Sequence, residues 1–128
     1  MKRRILVVED EEGYRDLAGR ILRRAGFEVL FAVDGTQGRE LLQKTSVDLA
    51  VLDWKLPGMD GGQLASWIRK NSKLAHLPVL MLTVKHKPEE ETLGFASGAD
   101  DYLTKPYTPL ELVSRIKRLL GSGNRTGE

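Results

Sequence analysis

Short apolar runs alternate with helical patterns along the whole chain. Five runs have the length of buried β-strands: residues 5–8, 27–33, 47–52, 79–83 and 102–104. Each is followed by residues with the apolar spacing or the start signals of a helix: 13–25, 35–44, from Gly61 or Gly62 onward, 88–98, and from Pro109 onward. Such alternation predicts an α/β fold, a doubly wound three-layer sandwich of five βα units around a parallel sheet.

Composition limits the classes of protein that the chain can belong to. Its 128 residues suit one domain, with 41% hydrophobic and 30% charged residues, as in ordinary globular proteins. No apolar stretch is long enough to span a membrane, and the absence of cysteine is compatible with the cytoplasm. The net charge of +2 is spread along the chain, so we expect no direct nucleic acid binding. We expect one domain over residues 1–120, with 121–128 a flexible tail or the start of a linker.

Polar residues stand where the predicted strands end. Glu9 and Asp10 follow the first run, Asp53 follows the third, Thr83 ends the fourth, and Lys105 follows the fifth. Because the carboxyl ends of parallel strands lie along one edge of a sheet, these residues are expected to meet there. The pattern predicts one functional site.

The residue types at this edge indicate phosphoryl transfer assisted by a metal ion. Three carboxylates close together repel one another and require a cation, and oxygen ligands favour Mg²⁺, with Mn²⁺ as an alternative. A carboxylate can attack phosphorus, and Asp53 is the candidate nucleophile. Lys105 and Thr83 could bind phosphoryl oxygens. The usual glycine-rich nucleotide loops are absent, so the phosphate is expected to come from another protein or a small donor.

Each of these residues also has an ordinary interpretation. Glu9 and Asp10 could be acidic residues at a helix N-terminus, Asp53 a turn residue, and Lys105 a solvated lysine. Their occurrence together at the ends of strands favours the functional interpretation.

Four segments resemble the response-regulator receiver domain, the CheY-like phosphoacceptor module of two-component signalling. The resemblance runs from about Arg4 to Leu120, and its segments are residues 5–11, 52–61, 82–83 and 98–107. It implies a flavodoxin-like sheet with strand order 2-1-3-4-5.

The resemblance implies a role for each acidic residue. Asp53 would accept a phosphoryl group from a sensor histidine kinase or a histidine phosphotransfer protein. Glu9, Asp10 and Asp53, with the backbone carbonyl of Lys55, would hold Mg²⁺. The resemblance thus implies a phosphorylation-activated switch rather than an enzyme, apart from self-phosphorylation and autodephosphorylation.

The resemblance also implies how phosphorylation is sensed. Thr83 and Tyr102 match a switch pair, Lys105 a phosphate-binding lysine, and Lys105–Pro106 a cis peptide bond. The readout surface would be the fourth helix, the fifth strand and the fifth helix, roughly residues 88–120, which would control a downstream protein or an attached effector domain.

Residues Asp101, Glu111 and Arg115 resemble a dimer face of the winged-helix transcription factor branch. Glu91 and Leu93 stand where that branch usually has basic residues, which leaves Glu111 without an obvious partner. The chain is therefore expected to be either a monomer or a phosphorylation-dependent homodimer.

Two lysines are candidates for setting the lifetime of the phosphoryl group. Lys55 and Lys85 lie two residues after Asp53 and Thr83, beside the path of attacking water in this family. They are either exposed lysines without a kinetic role or side chains that shield the phosphoryl group. Two other functions remain open, a Mg²⁺-dependent phosphatase with an aspartate nucleophile and a docking receiver that works without phosphorylation, although Lys55 stands where the phosphatase needs a second acid.

Overall fold

The computed structural model describes residues 2–84 and 98–125, with side chains as far as residue 121. The strands in this part are β1 (Arg4–Val8), β2 (Glu28–Ala32), β3 (Leu49–Asp53), β4 (Val79–Thr83) and β5 (Asp101–Thr104). The helices are α1 (Glu12–Arg24), α2 (Gly35–Lys44), α3 (Gly61–Lys70) and the C-terminal helix (Pro109–Arg125). The helix predicted over residues 88–98 lies outside the described residues, apart from Gly98.

All five strands pair in parallel, in the order β2-β1-β3-β4-β5. This confirms the predicted α/β fold and its strand order. One boundary differs in a way that concerns the site: β3 ends at Asp53, whereas the apolar run ends at Leu52. Asp53 belongs to the strand because it pairs in register with Leu82, and the next amide, of Trp54, donates to the Leu82 carbonyl at 2.7 Å.

The sheet is covered on both faces, as the near-continuous apolar strands require. Ile5 and Val7 of β1 belong to the hydrophobic cluster that includes buried side chains of α1 and the C-terminal helix. Leu6 and Val8 belong to the second cluster, with buried side chains of α2 and α3. Burying one large aliphatic side chain contributes about 1.5–3 kcal/mol, so the two clusters hold the three layers together and make the sheet a rigid support.

Reciprocal hydrogen bonds set the first residues of two helices. At α3, the Asp60 carboxylate accepts from the Gln63 amide at 2.8 Å, and the Gln63 side chain accepts from the Asp60 amide at 3.0 Å. At the C-terminal helix, Thr108 Oγ1 accepts from the Glu111 amide at 3.1 Å, and Glu111 Oε1 accepts from the Thr108 amide at 2.8 Å. Both are capping boxes, which satisfy amides that have no partner inside a helix.

Helix α3 begins in direct contact with the end of β3. A Cβ atom on Gly61 would lie 2.3 Å from the Asp53 carbonyl oxygen and 2.9 Å from Met81 Sδ. The Gly61 amide also donates to the Trp54 carbonyl at 2.9 Å. Only glycine permits this approach, and it closes the base of the loop that follows Asp53.

The C-terminal helix continues to Arg125, past residue 120, where the domain is predicted to give way to a tail. The division between domain and tail stays a prediction. None of the helices in the described ranges is long and apolar enough to span a bilayer.

Candidate functional site

Three carboxylates converge at the carboxyl edge of the sheet, where the adjacent strands β1 and β3 end. One oxygen each from Glu9, Asp10 and Asp53 lies within 4.8 Å of the other two. Glu9 and Asp53 are buried, with 1% and 3% of their surface exposed, whereas Asp10 is exposed. The cluster is therefore desolvated at its base and open to solvent at Asp10.

Lys105 lies in the same cluster rather than in solvent. Its Nζ is 2.6 Å from Glu9 Oε1, 3.4 Å from Asp53 Oδ2 and 3.8 Å from Glu11 Oε1, and the residue is only 2% exposed. Its amide donates to the Thr83 carbonyl at 2.7 Å, which attaches it to the end of β4. The interpretation of Lys105 as a solvated lysine is wrong, because the packing of the strand ends encloses it.

Burial and crowding shift the protonation of this cluster. Burial and the Glu9 carboxylate raise the pKa of Asp53 to about 7, although Lys105 opposes the shift. For Lys105, burial lowers the pKa, but Glu9, Asp53 and Glu11 more than offset this effect, so its pKa lies above the ordinary value. A bound cation would favour the ionised form of Asp53, which is the form that can act as a nucleophile.

Arg15 holds the loop that carries Glu9 and Asp10. Its Nη1 donates to the carbonyls of both residues at 2.9 Å. The Glu9 carboxylate accepts from the Glu11 amide at 3.1 Å, and Glu11, the residue before α1, makes no side-chain cap. Nothing in the sequence singles out Arg15, because a basic residue on α1 carries no signal beyond its charge.

The predicted switch residues lie at the ends of the last two strands. Thr83 is buried at the end of β4 and pairs in register with Thr104 of β5. Tyr102 is buried and belongs to the second hydrophobic cluster. Their roles in sensing phosphate stay predictions.

The remaining predictions near this edge concern the Lys105–Pro106 peptide bond and the lysines Lys55 and Lys85. The Lys105–Pro106 peptide bond is cis, the geometry that the resemblance implies. Lys55 is exposed, and its carbonyl stays a predicted ligand. Lys85, Glu91 and Leu93 lie outside the described residues.

An aromatic pair adjoins the ammonium group of Lys105. The Tyr14 ring centroid is 4.2 Å from Nζ, and the Tyr14 and Tyr107 centroids are 5.9 Å apart at 47°. Burial, followed by the neighbouring Glu9, Tyr14 and Asp53, raises the pKa of Tyr107 above its ordinary value. The helical pattern predicts only that Tyr14 faces inward, and it does not predict this contact.

The residues of the predicted dimer face have partners within the chain. Asp101 Oδ1 is 3.2 Å from Arg115 Nη1, Arg118 pairs with the other carboxylate oxygen, and Arg115 also donates to the Tyr102 carbonyl. Glu111 caps its own helix through Thr108, and its lack of a partner on the fourth helix stays a prediction. Dimerisation through this face stays a prediction.

Known proteins match this chain over nearly its whole length. Residues 5–117 match the family model described as response regulator receiver domain. The transcriptional regulatory protein GltR of Pseudomonas aeruginosa is 43% identical over 118 residues, which are 92% of this chain and 49% of GltR.

Solved structures agree in fold. A response regulator of Chloroflexus aurantiacus has a TM-score of 0.92 at 36% identity, covering 94% of this chain and 99% of that one. The receiver domain of sensor histidine kinase PA1611 from Pseudomonas aeruginosa, with a magnesium ion coordinated in its active site cleft, has a TM-score of 0.88 at 27% identity, covering 94% and 99%.

The chain spans about half the length of the curated relatives that it matches, with 49%, 51% and 52% of three of them covered. The residues matched by the family model, 5–117, include the sheet and the carboxylate cluster described above. The chain therefore belongs to the response regulator receiver domain family.

Proposed function

We propose that Asp53 is the phosphoacceptor of a two-component signalling switch and that it works with Mg²⁺. The observation that carries this proposal is the buried carboxylate of Asp53, which lies within 4.8 Å of two further carboxylates and 3.4 Å from the Lys105 ammonium group. The ammonium group beside Asp53 can bind the incoming phosphoryl oxygens, and the two neighbouring carboxylates can hold a metal ion together with Asp53.

The donor set fits a hard divalent cation. Glu9, Asp10 and Asp53 offer only oxygen, and Asp10 opens the cluster to solvent, which suits Mg²⁺ because this ion usually keeps several waters. The Lys55 carbonyl would complete the protein ligands, and Mn²⁺ accepts the same donors. When bound, the metal would neutralise charge on the carboxylates and on the transferring group.

The chain's own residues carry the transfer. An oxygen of ionised Asp53 forms a bond to phosphorus while the bond between phosphorus and the donor's leaving atom breaks, which gives an acyl phosphate on Asp53. The Lys105 ammonium group stabilises the negative charge on the phosphoryl oxygens. The burial that raises the pKa of Asp53 also limits access of water to the product.

The donor would be a sensor histidine kinase or a histidine phosphotransfer protein. Phosphorylation would change the surface that includes β5 and the C-terminal helix, together with the predicted preceding helix, and so act on a downstream protein or an effector domain. An attached effector is supported by the coverage of about half of transcriptional regulators such as GltR. Light scattering with a bound phosphoryl analogue would distinguish a monomer from a phosphorylation-dependent homodimer.

The test is covalent labelling by a small phosphodonor. We expect the protein incubated with acetyl phosphate and Mg²⁺ to gain one phosphoryl group in its intact mass, and the Asp53→Asn variant to gain none. Asp101→Asn is the matched control, since Asp101 lies at the start of β5 and should leave labelling intact. Labelling of Asp53→Asn would contradict the proposal, and rapid turnover of the donor without an adduct would indicate a phosphatase.

Lys55 and Lys85 are proposed to lengthen the life of the acyl phosphate by shielding it from water. Lys55 supports this proposal by being exposed only two residues after Asp53. Replacing both lysines by alanine should speed the loss of the phosphoryl group. An unchanged rate of dephosphorylation would leave them as ordinary surface lysines.

A further inference from the structure

The contact between Lys105 and Tyr14 differs from the other cation–π contacts of the described residues. The guanidinium groups of Arg23 and Arg39 lie over Phe31 and Trp67 at 5.3 and 5.2 Å, and both arginines are exposed. The Lys105 ammonium is closer, at 4.2 Å, and its side chain is 1% exposed. A cation–π contact strengthens when the cation is desolvated, so this contact contributes more than the other two.

The position of the Tyr14 ring is set by its surroundings. Tyr14 packs against the hydrophobic cluster under α1, and its ring is tilted against the ring of Tyr107, a buried member of the same cluster. Lys105 therefore has two kinds of partner: the carboxylates of Glu9, Asp53 and Glu11, and a ring that the core holds in place.

These two kinds of partner respond differently to ligands. A divalent cation bound by Glu9, Asp10 and Asp53 would compete with Lys105 for the negative charge of these carboxylates. The cation would also repel the ammonium group of Lys105. The attraction of the Tyr14 ring does not depend on those carboxylates.

On these grounds we propose that Tyr14 is a positioning residue, which keeps the Lys105 ammonium beside Asp53 when the site carries a metal ion and a phosphoryl group. This inference rests on the proposed function. The position of the Lys105 ammonium group would then depend partly on α1, a helix that supplies no metal ligand to the predicted site.

The test compares Tyr14→Leu, which keeps apolar bulk but removes the ring, with Tyr14→Phe, which keeps the ring. The probe is fluoroberyllate with Mg²⁺, a noncovalent analogue of the phosphoryl group, followed by tryptophan fluorescence because Trp54 is adjacent to Asp53. We expect Tyr14→Leu to weaken fluoroberyllate binding by about 2- to 30-fold, and Tyr14→Phe to bind as the unmodified protein does.

A second readout reports the contact itself. In the unmodified protein and in Tyr14→Phe, the ring current should displace the NMR signals of the Lys105 ε-methylene group upfield, and Tyr14→Leu should lose this displacement. The measurement on the unmodified protein does not depend on whether a variant folds.

Three outcomes would overturn the inference: no displacement in the unmodified protein, equal fluoroberyllate affinity in Tyr14→Leu, or an equal loss in Tyr14→Phe. Failure of the proposed function gives a different result, since the unmodified protein would then neither bind fluoroberyllate nor form the Asp53 adduct.

Discussion

Two groups of charged side chains in this domain both combine acids with bases, and they differ in the ratio of acid to base and in burial. The acidic site comprises Glu9, Asp10, Asp53 and Lys105, and the Asp101 network comprises Asp101, Arg115 and Arg118. The acidic site has three acids for one base and a buried base. The Asp101 network has two arginines for one acid, and the side chain of Arg118 is 64% exposed.

The difference in charge ratio and burial indicates how each group affects the stability of the fold. In the acidic site, the ionised form of Asp53 is disfavoured, which its raised pKa of about 7 expresses. In the Asp101 network, the carboxylate has cations on both oxygens, an arrangement that stabilises it modestly at the surface. The excess of acid in the acidic site destabilises the metal-free fold and would favour a bound cation, whereas the fully paired carboxylate of the Asp101 network stabilises the structure.

The largest expected effect is a pH-dependent gain in stability in Asp53→Asn. The pKa of Asp53 rises from 3.8 to about 7 on folding, so the unfolded chain loses this proton first, and stability is lost as the pH rises from about 4 to about 7. In chelator, the free energy of unfolding of Asp53→Asn should exceed that of the unmodified protein by about 1–4 kcal/mol above pH 7, with little difference near pH 4. Urea denaturation across this range measures it, and a difference that does not vary with pH would contradict the comparison.

The next effect concerns the loop below the acidic site. Arg15→Leu removes the hydrogen bonds to the carbonyls of Glu9 and Asp10 and should weaken Mg²⁺ binding by about 10- to 100-fold, as loss of groups that orient metal ligands does. Titration calorimetry measures the affinity. Arg20→Leu, at an exposed position on the same helix, is the control, and equal affinities of the two variants would deny Arg15 this role.

The smallest expected effect is a change in stability opposite in sign to that of Asp53→Asn. Asp101→Asn removes the charge that pairs with Arg115 and Arg118 and should lower the free energy of unfolding by about 0.2–1 kcal/mol. The same chemical change thus destabilises at residue 101 and stabilises at residue 53. Urea denaturation at neutral pH, repeated in high salt, should show the Asp101 effect shrink through screening. A gain in stability in Asp101→Asn would remove the contrast between the two groups.

The strands and the edge that carries the site follow from local pattern and one topological rule. Apolar runs place the strands within a few residues of their observed ends. Parallel pairing then predicts that Glu9, Asp53 and Lys105 lie close together, although it gives no distances between them. The apolar pattern ends β3 one residue too early, because Asp53 is polar and its membership in the strand depends on pairing with β4.

The contacts that refine the site could not be predicted in this way. Tyr14 reads as an inward-facing helix residue and Arg15 as a surface base, since periodicity records only which side of a helix a residue occupies. Whether the first turns of α1 reach the loop after β1 and the ammonium of Lys105 depends on how α1 packs on the sheet. The burial of Lys105 has the same origin, because neighbours distant in sequence enclose it.

The contact at Gly61 limits how this domain can be altered by engineering. Because a Cβ atom there would meet the carbonyl of Asp53 at 2.3 Å, the strand end and the first turn of α3 are fixed relative to each other at atomic contact. Any change to the loop between Lys55 and Met59 must therefore keep glycine at position 61, and it must also keep the buried Leu56 and the positive φ of Gly58. A side chain at position 61 would push directly on the backbone of Asp53, so this anchor of the loop tolerates only glycine.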